Sequence, residues 1–497
     1  MTRTQKLLLP CVALLLGTAF ITVSRVRLID GDEGFYLLAA KLVFQGKVLY
    51  SDFLYTQMPL LPFAYGSWMR IAGDTWNSAR LLSAMFATVL GCLLYWHVTR
   101  ITGSWLAGCL AALLFVSSTP ALVWFTVVKT FSLSALLLFG AYVAVWGGSG
   151  KWALAVSGLL FALSVDCRLY LVGLAPVFLL SIYCRRTAFP NPLTPYAWFF
   201  GGLGLGLSPN LYWIVRDYGN FYFDNLGYHV GRSSAGLVGA YFQKREMLLQ
   251  VTGLLPSREW FGLPFGFLLL MNGMSFLFHR RLPGPRAWPS MYIALAIILL
   301  STLPTPTYQQ YYCLAVPFLI VGAVSFAWEL SRSRVRILAL LVVLTMNLIL
   351  ISFDLRRYTS TGEGVVGIWD PENAIDWRLP SVRRISRELD RQVAPGEPVL
   401  SFWPGYMVES QAASVPGMES HVGLSIAGKL TAQQQTQYKV LSETGVEAAL
   451  RLHKPCVAVL GNQYSMAVDG LPFERMLRLY GYRISYSLGH ASIYTCR

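Results

Sequence analysis

Uncharged apolar runs close to twenty residues long recur from the start of this chain to about residue 353, and nothing else constrains its fold as tightly. The stretches "LLLPCVALLLGTAFITVS", "YAWFFGGLGLGLSPNLYWIV" and "WFGLPFGFLLLMNGMSFLF" each match the roughly 20 residues a helix needs to cross a bilayer. Candidate spans are 7–24, 79–98, 104–121, 130–147, 152–166, 168–184, 196–215, 260–279, 288–304, 312–328 and 337–353, about eleven helices. Only 13% of the 497 residues are charged and 55% are hydrophobic, whereas about 25% are charged in ordinary soluble domains. The expected class is a polytopic α-helical membrane protein. The first run has the basic start and apolar centre of a signal peptide. It is long, however, and lacks a small-residue cleavage site, so it reads as a retained span.

The formal charge of +15 does not point to nucleic acid, because the basic residues cluster beside the apolar runs and no nucleic-acid-binding motif is present. Alternate connections carry Arg3 and Lys6, Arg100, Lys151, Arg185 and Arg186, then Arg280, Arg281 and Arg286, and finally Arg332, Arg334 and Arg336. The positive-inside rule makes those ends cytoplasmic, with Arg25, Arg27, Arg356 and Arg357 as the dissenting minority. Two long non-cytoplasmic segments follow, about 25–78 and 216–259. The carboxylates agree: residues 1–353 hold eleven, and all but Glu329 fall on the outer side, among them Asp74, Asp166, Asp217, Asp224, Glu246 and Glu259.

From about residue 354 the long apolar runs cease. "GEPVLSFWPG" and "KPCVAVLGNQ" read as strands entering turns, and "SVRRISRELDRQV" as an amphipathic helix, so residues 354–497 are expected to form a small extracytoplasmic α/β domain after a transmembrane domain of residues 1–353. Six of the eight cysteines lie in or beside apolar runs, where a thiol acts as a small hydrophobe. Cys456 and Cys496 lie in the polar tail and can pair if it faces an oxidising compartment.

Five of the outer carboxylates crowd into the first outer segment, three of them as Asp30, Asp32 and Glu33 within "IDGDEGFY". Phe35, Leu38 and Leu42 follow at helical spacing and Gly46 can end the helix, which suggests a short helix along the membrane surface. One reading makes Asp32 its N-cap and Glu33 a first-turn acid favoured by the helix dipole. The rest of the segment favours chemistry. The order D-E-x-x-Y, about ten residues of helix, G-x-x-x-Y-x-D-F, P-x-x-P and then "SARLLSAMF" resembles the first external loop of the GT-C membrane glycosyltransferases. The branch it resembles most contains the protein O-mannosyltransferases and the lipid A aminoarabinose transferase.

That resemblance implies an inverting glycosyltransferase of the plasma (inner) membrane. It would move a sugar from a polyprenyl-phosphate donor to a hydroxyl of a lipid, glycan or protein acceptor on the outer face, without cofactor or metal. By match to the D-E pair, Asp32 is the expected catalytic base, with Glu33 assisting or binding sugar and Asp30 the weaker candidate. Asp52 either orients the acceptor or braces the loop.

The family's acid and lysine before the prolines are replaced here by Gln57 and Met58, and a later outer acid by "VVKTF". Lys129 in that stretch can meet the donor phosphate or simply snorkel at a helix end. Arg168 beside Asp166, and Arg232 in "NLGYHVGRSSAG", are further candidate phosphate contacts, each with a structural alternative. His229 has no metal-ligand partners in sequence. Tyr308, Gln310 and Tyr311 in "TPTYQQYYCLAVPFL" are expected near the donor or in an interfacial aromatic belt. The competing class is a transporter or lipid flippase. Such proteins usually carry internal repeats and mid-span ionisable groups, whereas these carboxylates gather at one face.

Overall fold

The computed structural model describes residues 3–232, 236–255, 262–278, 288–329, 334–461 and 473–496. Glu259, Arg280, Arg281, Arg286 and Arg332, which entered the reading of sidedness, lie outside the described residues. Among the described residues each expected span overlaps helical structure, with 104–121 divided between Trp105–Ser117 and Thr119–Trp124. Among the described residues, seven helices are long and apolar enough to cross a membrane: Leu7–Val26, Trp76–Thr102, Thr130–Gly147, Gly150–Cys167, Leu169–Ala188, Gln309–Trp328 and Arg334–Thr361. Trp105–Ser117, Gly262–Leu277 and Pro289–Ser301 are apolar but shorter. The expected span 196–215 is divided between Thr194–Leu207 and Asn210–Tyr222, with Pro209 at the break, where the missing N–H cannot continue the ladder.

Small residues set how closely some helices pack. A Cβ on Gly202 would lie 1.9 Å from the Ala155 carbonyl oxygen, and one on Gly158 2.0 Å from that of Phe199. The Gly150–Cys167 and Thr194–Leu207 helices therefore touch backbone to backbone, a contact no other residue type permits.

Helix α1 (Arg3–Val26) leads into the acidic turn and α2 (Glu33–Phe44); α3 (Leu60–Ala72) and α4 (Trp76–Thr102) follow. α2, expected as a short helix along the membrane surface, is covered by protein, with residues 33–40 all buried. α3 covers one side, and the turn Pro404–Met407 from the C-terminal region covers the other. The small residues of "EGFYLLAA" allow this: a Cβ on Gly34 would stand 2.5 Å from the Gly405 backbone. Lys41 is the polar tie, its ammonium donating to the carbonyls of Met407 (3.0 Å), Val408 (3.2 Å) and Ser410 (2.6 Å). The Trp403 indole N–H donates to the Gly31 carbonyl at 2.8 Å.

The C-terminal region is a five-stranded mixed sheet in the order β2-β1-β3-β5-β4, with β1 Pro398–Ser401, β2 Ala413–Ser414, β3 Val457–Leu460, β4 Arg483–Leu488 and β5 Ala491–Thr495. β1 pairs in parallel with β2 and β3, and β5 runs antiparallel to β3 and β4. Period-two alternation sorts its side chains. Val399, Val457, Val459 and Ile493 join the core shared with the transmembrane helices, while Leu400, Ala458, Leu460 and Tyr494 build a separate core with Val446, Leu450 and Phe473. The expected amphipathic helix is Leu379–Gln392, burying Val382, Ile385 and Leu389. Cys456 and Cys496 form a disulfide flanking the β3–β5 pair.

Candidate functional site

The acidic turn is held rigidly before any functional group is considered. Leu28 N–H donates to the Tyr358 carbonyl at 2.8 Å and Ile29 N–H to that of Trp377 at 2.7 Å, pinning the exit of α1. Glu33 then turns inward. Its carboxylate takes a two-pronged contact from Arg80 of α4 (Nε to Oε2 2.8 Å, Nη2 to Oε1 2.5 Å) and accepts from the backbone N–H of Asp30 (2.8 Å) and Val128 (3.1 Å). Burial alone would raise this carboxyl; Arg80 and then Arg27 hold it below its ordinary range. One side chain thus fastens the acidic turn, a transmembrane helix and the segment carrying Lys129.

Asp32 occupies the N-cap position of α2 yet makes no capping hydrogen bond. Its side chain turns to Lys129 instead, whose ammonium lies 2.9 Å from Asp32 Oδ2 and 2.7 Å from Asp30 Oδ1. Burial opposes the charge on Lys129, but Asp30 and Asp32 hold its ammonium well above the usual lysine range. For Asp32 burial again opposes charge, and Lys129 with His421 prevails, keeping the carboxyl well below the usual range. Asp32 is therefore an ionised acceptor throughout the neutral range, with its side chain 42% exposed.

Arg168 and Arg232 differ from these paired groups. Among the described residues neither is in an ion pair with a carboxylate, and the Nε of each is buried without a partner. Asp166, the neighbour of Arg168 in sequence, accepts from Asn210 Nδ2 at 2.8 Å instead. Arg168 donates to Thr130 Oγ1 at 2.7 Å and lies over the rings of Phe131 (4.5 Å), Tyr170 (5.0 Å) and Tyr311 (5.2 Å). Burial pulls both guanidinium groups down, but neighbouring phenols, led by Tyr170 for Arg168 and by Tyr311 for Arg232, leave them above their ordinary value. A cation withheld from water without a counter-charge is costly, and Arg168, buried, and Arg232, part-buried, line the same space, so together they offer an anion site.

The two aspartates of the turn, Lys129 and the two arginines open onto one cavity of about 440 Å³. Asp30, Asp32, Lys129, Arg168, Arg232, Tyr308, Gln310, Tyr311 and His421 line it. A second, mostly apolar groove of about 580 Å³ adjoins it, walled by Met58, Leu169, Val172, Leu226, Val230 and Leu303. Gln57, Arg168, His229, Arg232 and Tyr311 line both spaces, so the unpaired guanidinium groups stand at the junction.

Of the residues expected from sequence, Asp32, Lys129, Arg168, Arg232, Tyr308, Gln310 and Tyr311 meet around this cavity. Glu33 and Asp52 are not among its lining residues. Glu33 is sealed against Arg80, and Asp52 braces its loop by accepting from the Val48 N–H at 2.7 Å. Lys129, expected at a phosphate, is engaged by two acids. Sequence reasoning missed His421, which lies nearly 400 residues from Asp32 in "MESHVGLS" with no motif around it; it also passed over Tyr36, the last letter of D-E-x-x-Y. Among the described residues no group of three or more His, Cys, Asp or Glu is placed to hold a metal ion.

No protein-family model and no curated protein matches the sequence. Solved structures do match. ArnT from Cupriavidus metallidurans bound to undecaprenyl phosphate superposes with a TM-score of 0.66 at 12% identity, covering 100% of this chain and 99% of that one. Its apo state gives 0.66 at 12% identity over 99% and 97%. The apo oligosaccharyltransferase of Archaeoglobus fulgidus gives 0.50 at 14% identity over 100% of this chain and 75% of that one. The chain is a multi-pass membrane protein whose fold is similar over its whole length to that of ArnT.

Proposed function

We propose that this protein is an inverting glycosyltransferase that moves a sugar from a polyprenyl-phosphate donor to an acceptor hydroxyl. The observation that carries this reading is the junction of the two spaces. An apolar groove suited to a lipid chain meets a polar cavity at two unpaired guanidinium groups, where a phosphate would sit. The bound undecaprenyl phosphate of the ArnT structure is in keeping with it.

In this reading the lipid lies in the groove, Arg168 and Arg232 hold its phosphate, and the sugar extends towards Asp32. The acceptor oxygen attacks the anomeric carbon from the Asp32 side as its proton passes to the carboxylate. The bond from that carbon to the phosphate oxygen breaks on the opposite side, and the electron pair leaves with the phosphate. Attack and departure on opposite faces invert the anomeric centre. The arginines meet the developing charge, so the step needs no metal. Tyr308, whose phenol is pushed up to about 12 by burial and by Tyr311, and the Gln310 amide are hydrogen-bonding groups for the sugar.

Residues 1–353 form the catalytic body in this proposal, and residues 354–497 roof it on the outer face of the plasma membrane. The Cys456–Cys496 disulfide suits an oxidising compartment. The test is Asp32→Asn, assayed with a radiolabelled polyprenyl-phosphate sugar pool extracted from the native membranes. Transfer is expected to fall by about 10²- to 10⁴-fold with folding and insertion intact. Transfer at the wild-type rate would remove Asp32 as the base.

A further inference from the structure

The C-terminal region reaches the candidate base through one side chain. His421 is 6% exposed and stands edge-on to Phe35, with ring centroids 6.2 Å apart. Its Nε2 lies 3.6 Å from Asp32 Oδ1. Lys129 occupies Oδ2, so Oδ1 is the oxygen left facing the cavity and the imidazole. His421 Nδ1 is buried with no hydrogen-bond partner, so Asp32 is the polar group that the ring addresses.

We propose that His421 is a positioning residue acting through Asp32: in the tautomer with its hydrogen on Nδ1, its bare Nε2 relays away the proton that the acceptor hydroxyl delivers to the free carboxylate oxygen. The inference rests on the glycosyl-transfer reading. The proton moves from the acceptor oxygen to Asp32 Oδ1 and then to His421 Nε2, and the imidazolium releases it to solvent once product has left.

The surroundings leave few other routes. Lys129, with His421, holds Asp32 below the usual carboxylate range, which favours passing on a proton placed there. Asp30 is committed to Lys129 and to the Asp32 N–H. Arg168 and Arg232 stay protonated. Tyr36, Tyr228 and Tyr308 are shifted upwards, chiefly by burial, and offer phenols rather than bases. His229 meets the Thr56 carbonyl at 3.0 Å, and burial with Arg232 pushes it down to about 4. On the histidine's own segment, Glu419 accepts from the Gly417 N–H at 2.7 Å and is raised by burial.

His421→Gln and His421→Ala, in the full-length protein in native-lipid vesicles, test the relay with the same extracted donor pool. Both are expected to lose about 100-fold in kcat with KM for the lipid donor unchanged. Added imidazole should restore His421→Ala by at least about 10-fold, because it refills a base that Gln cannot supply. A Gln variant as fast as wild type overturns the relay and leaves only a hydrogen bond. A stably folded Ala variant that imidazole fails to rescue overturns it too. If the wild-type protein moves no sugar, the glycosyl-transfer reading itself fails, an outcome distinct from active variants beside an active wild type.

Discussion

Asp32 and Glu33 are neighbours in sequence, carry the same charge and each meet a cation, yet they belong to opposite regions of the molecule. Glu33 and Arg80 are 0% and 1% exposed, with every contact of the pair turned to protein. Asp32 is 42% exposed and shares its cation with Asp30, leaving one oxygen free. The sealed pair fixes where the turn sits, and the open one presents a charge to a ligand. A D-E pair is thus two devices in one dipeptide, since α2 begins there and successive residues point in different directions.

The comparison is sharpened most by Glu33→Ala. Removing one partner of a buried pair strands Arg80 without a counter-charge, and a loss of about 3–5 kcal/mol in stability is expected. Thermal unfolding in detergent measures it. Asp32→Asn should shift the same midpoint far less while lowering transfer by about 10²- to 10⁴-fold. If the two variants melt alike, the division between sealed and open acids is wrong.

A smaller effect separates the roof from the body. Lys41 ties α2 to the 407–410 segment through three carbonyl oxygens, and Lys41→Met keeps the apolar stem while leaving those acceptors unmet. About 1–3 kcal/mol is expected, read as faster proteolysis or hydrogen exchange in residues 403–425 before any change in the transmembrane helices. Uniform loosening of the whole chain would show instead that roof and body unfold as one.

Much of this was legible in the sequence, and what was not has identifiable physical causes. Apolar runs near bilayer length marked where the membrane helices lie, because a helix must be that long whatever surrounds it. The acids stood out because the membrane region has so few. The burial of α2 was hidden because its Gly34, Ala39 and Ala40 looked neutral beside Phe35, Leu38 and Leu42. Small residues announce close approach only once the approaching segment, here Trp403 to Val408, is known. Arg80 was visible in "SARLLSAMF" but its partner was not, since pairing of Glu33 with α4 depends on how the turn folds back. His421 carried no signal at all: a single histidine without periodicity gains meaning only from the distance to Asp32.

The subtlest test of the contrast uses pH. Arg80 holds the folded-state pKa of Glu33 below its ordinary value, so its stabilising contribution is complete above the unfolded pKa of about 4.3. Below that, the unfolded chain takes up a proton that the folded protein refuses, and stability falls by up to about 1.4 kcal/mol per pH unit until the folded pKa is reached. Glu33→Gln has no such slope at this position. The gap between the melting midpoints of wild type and Glu33→Gln should therefore be constant from neutral pH down to about pH 5 and narrow below about pH 4. Other acids contribute equally to both proteins and cancel in the difference. A gap that holds steady down to about pH 3 would mean that folding does not lower the Glu33 pKa, and that the sealed acid is not held in its charged form by the contacts around it.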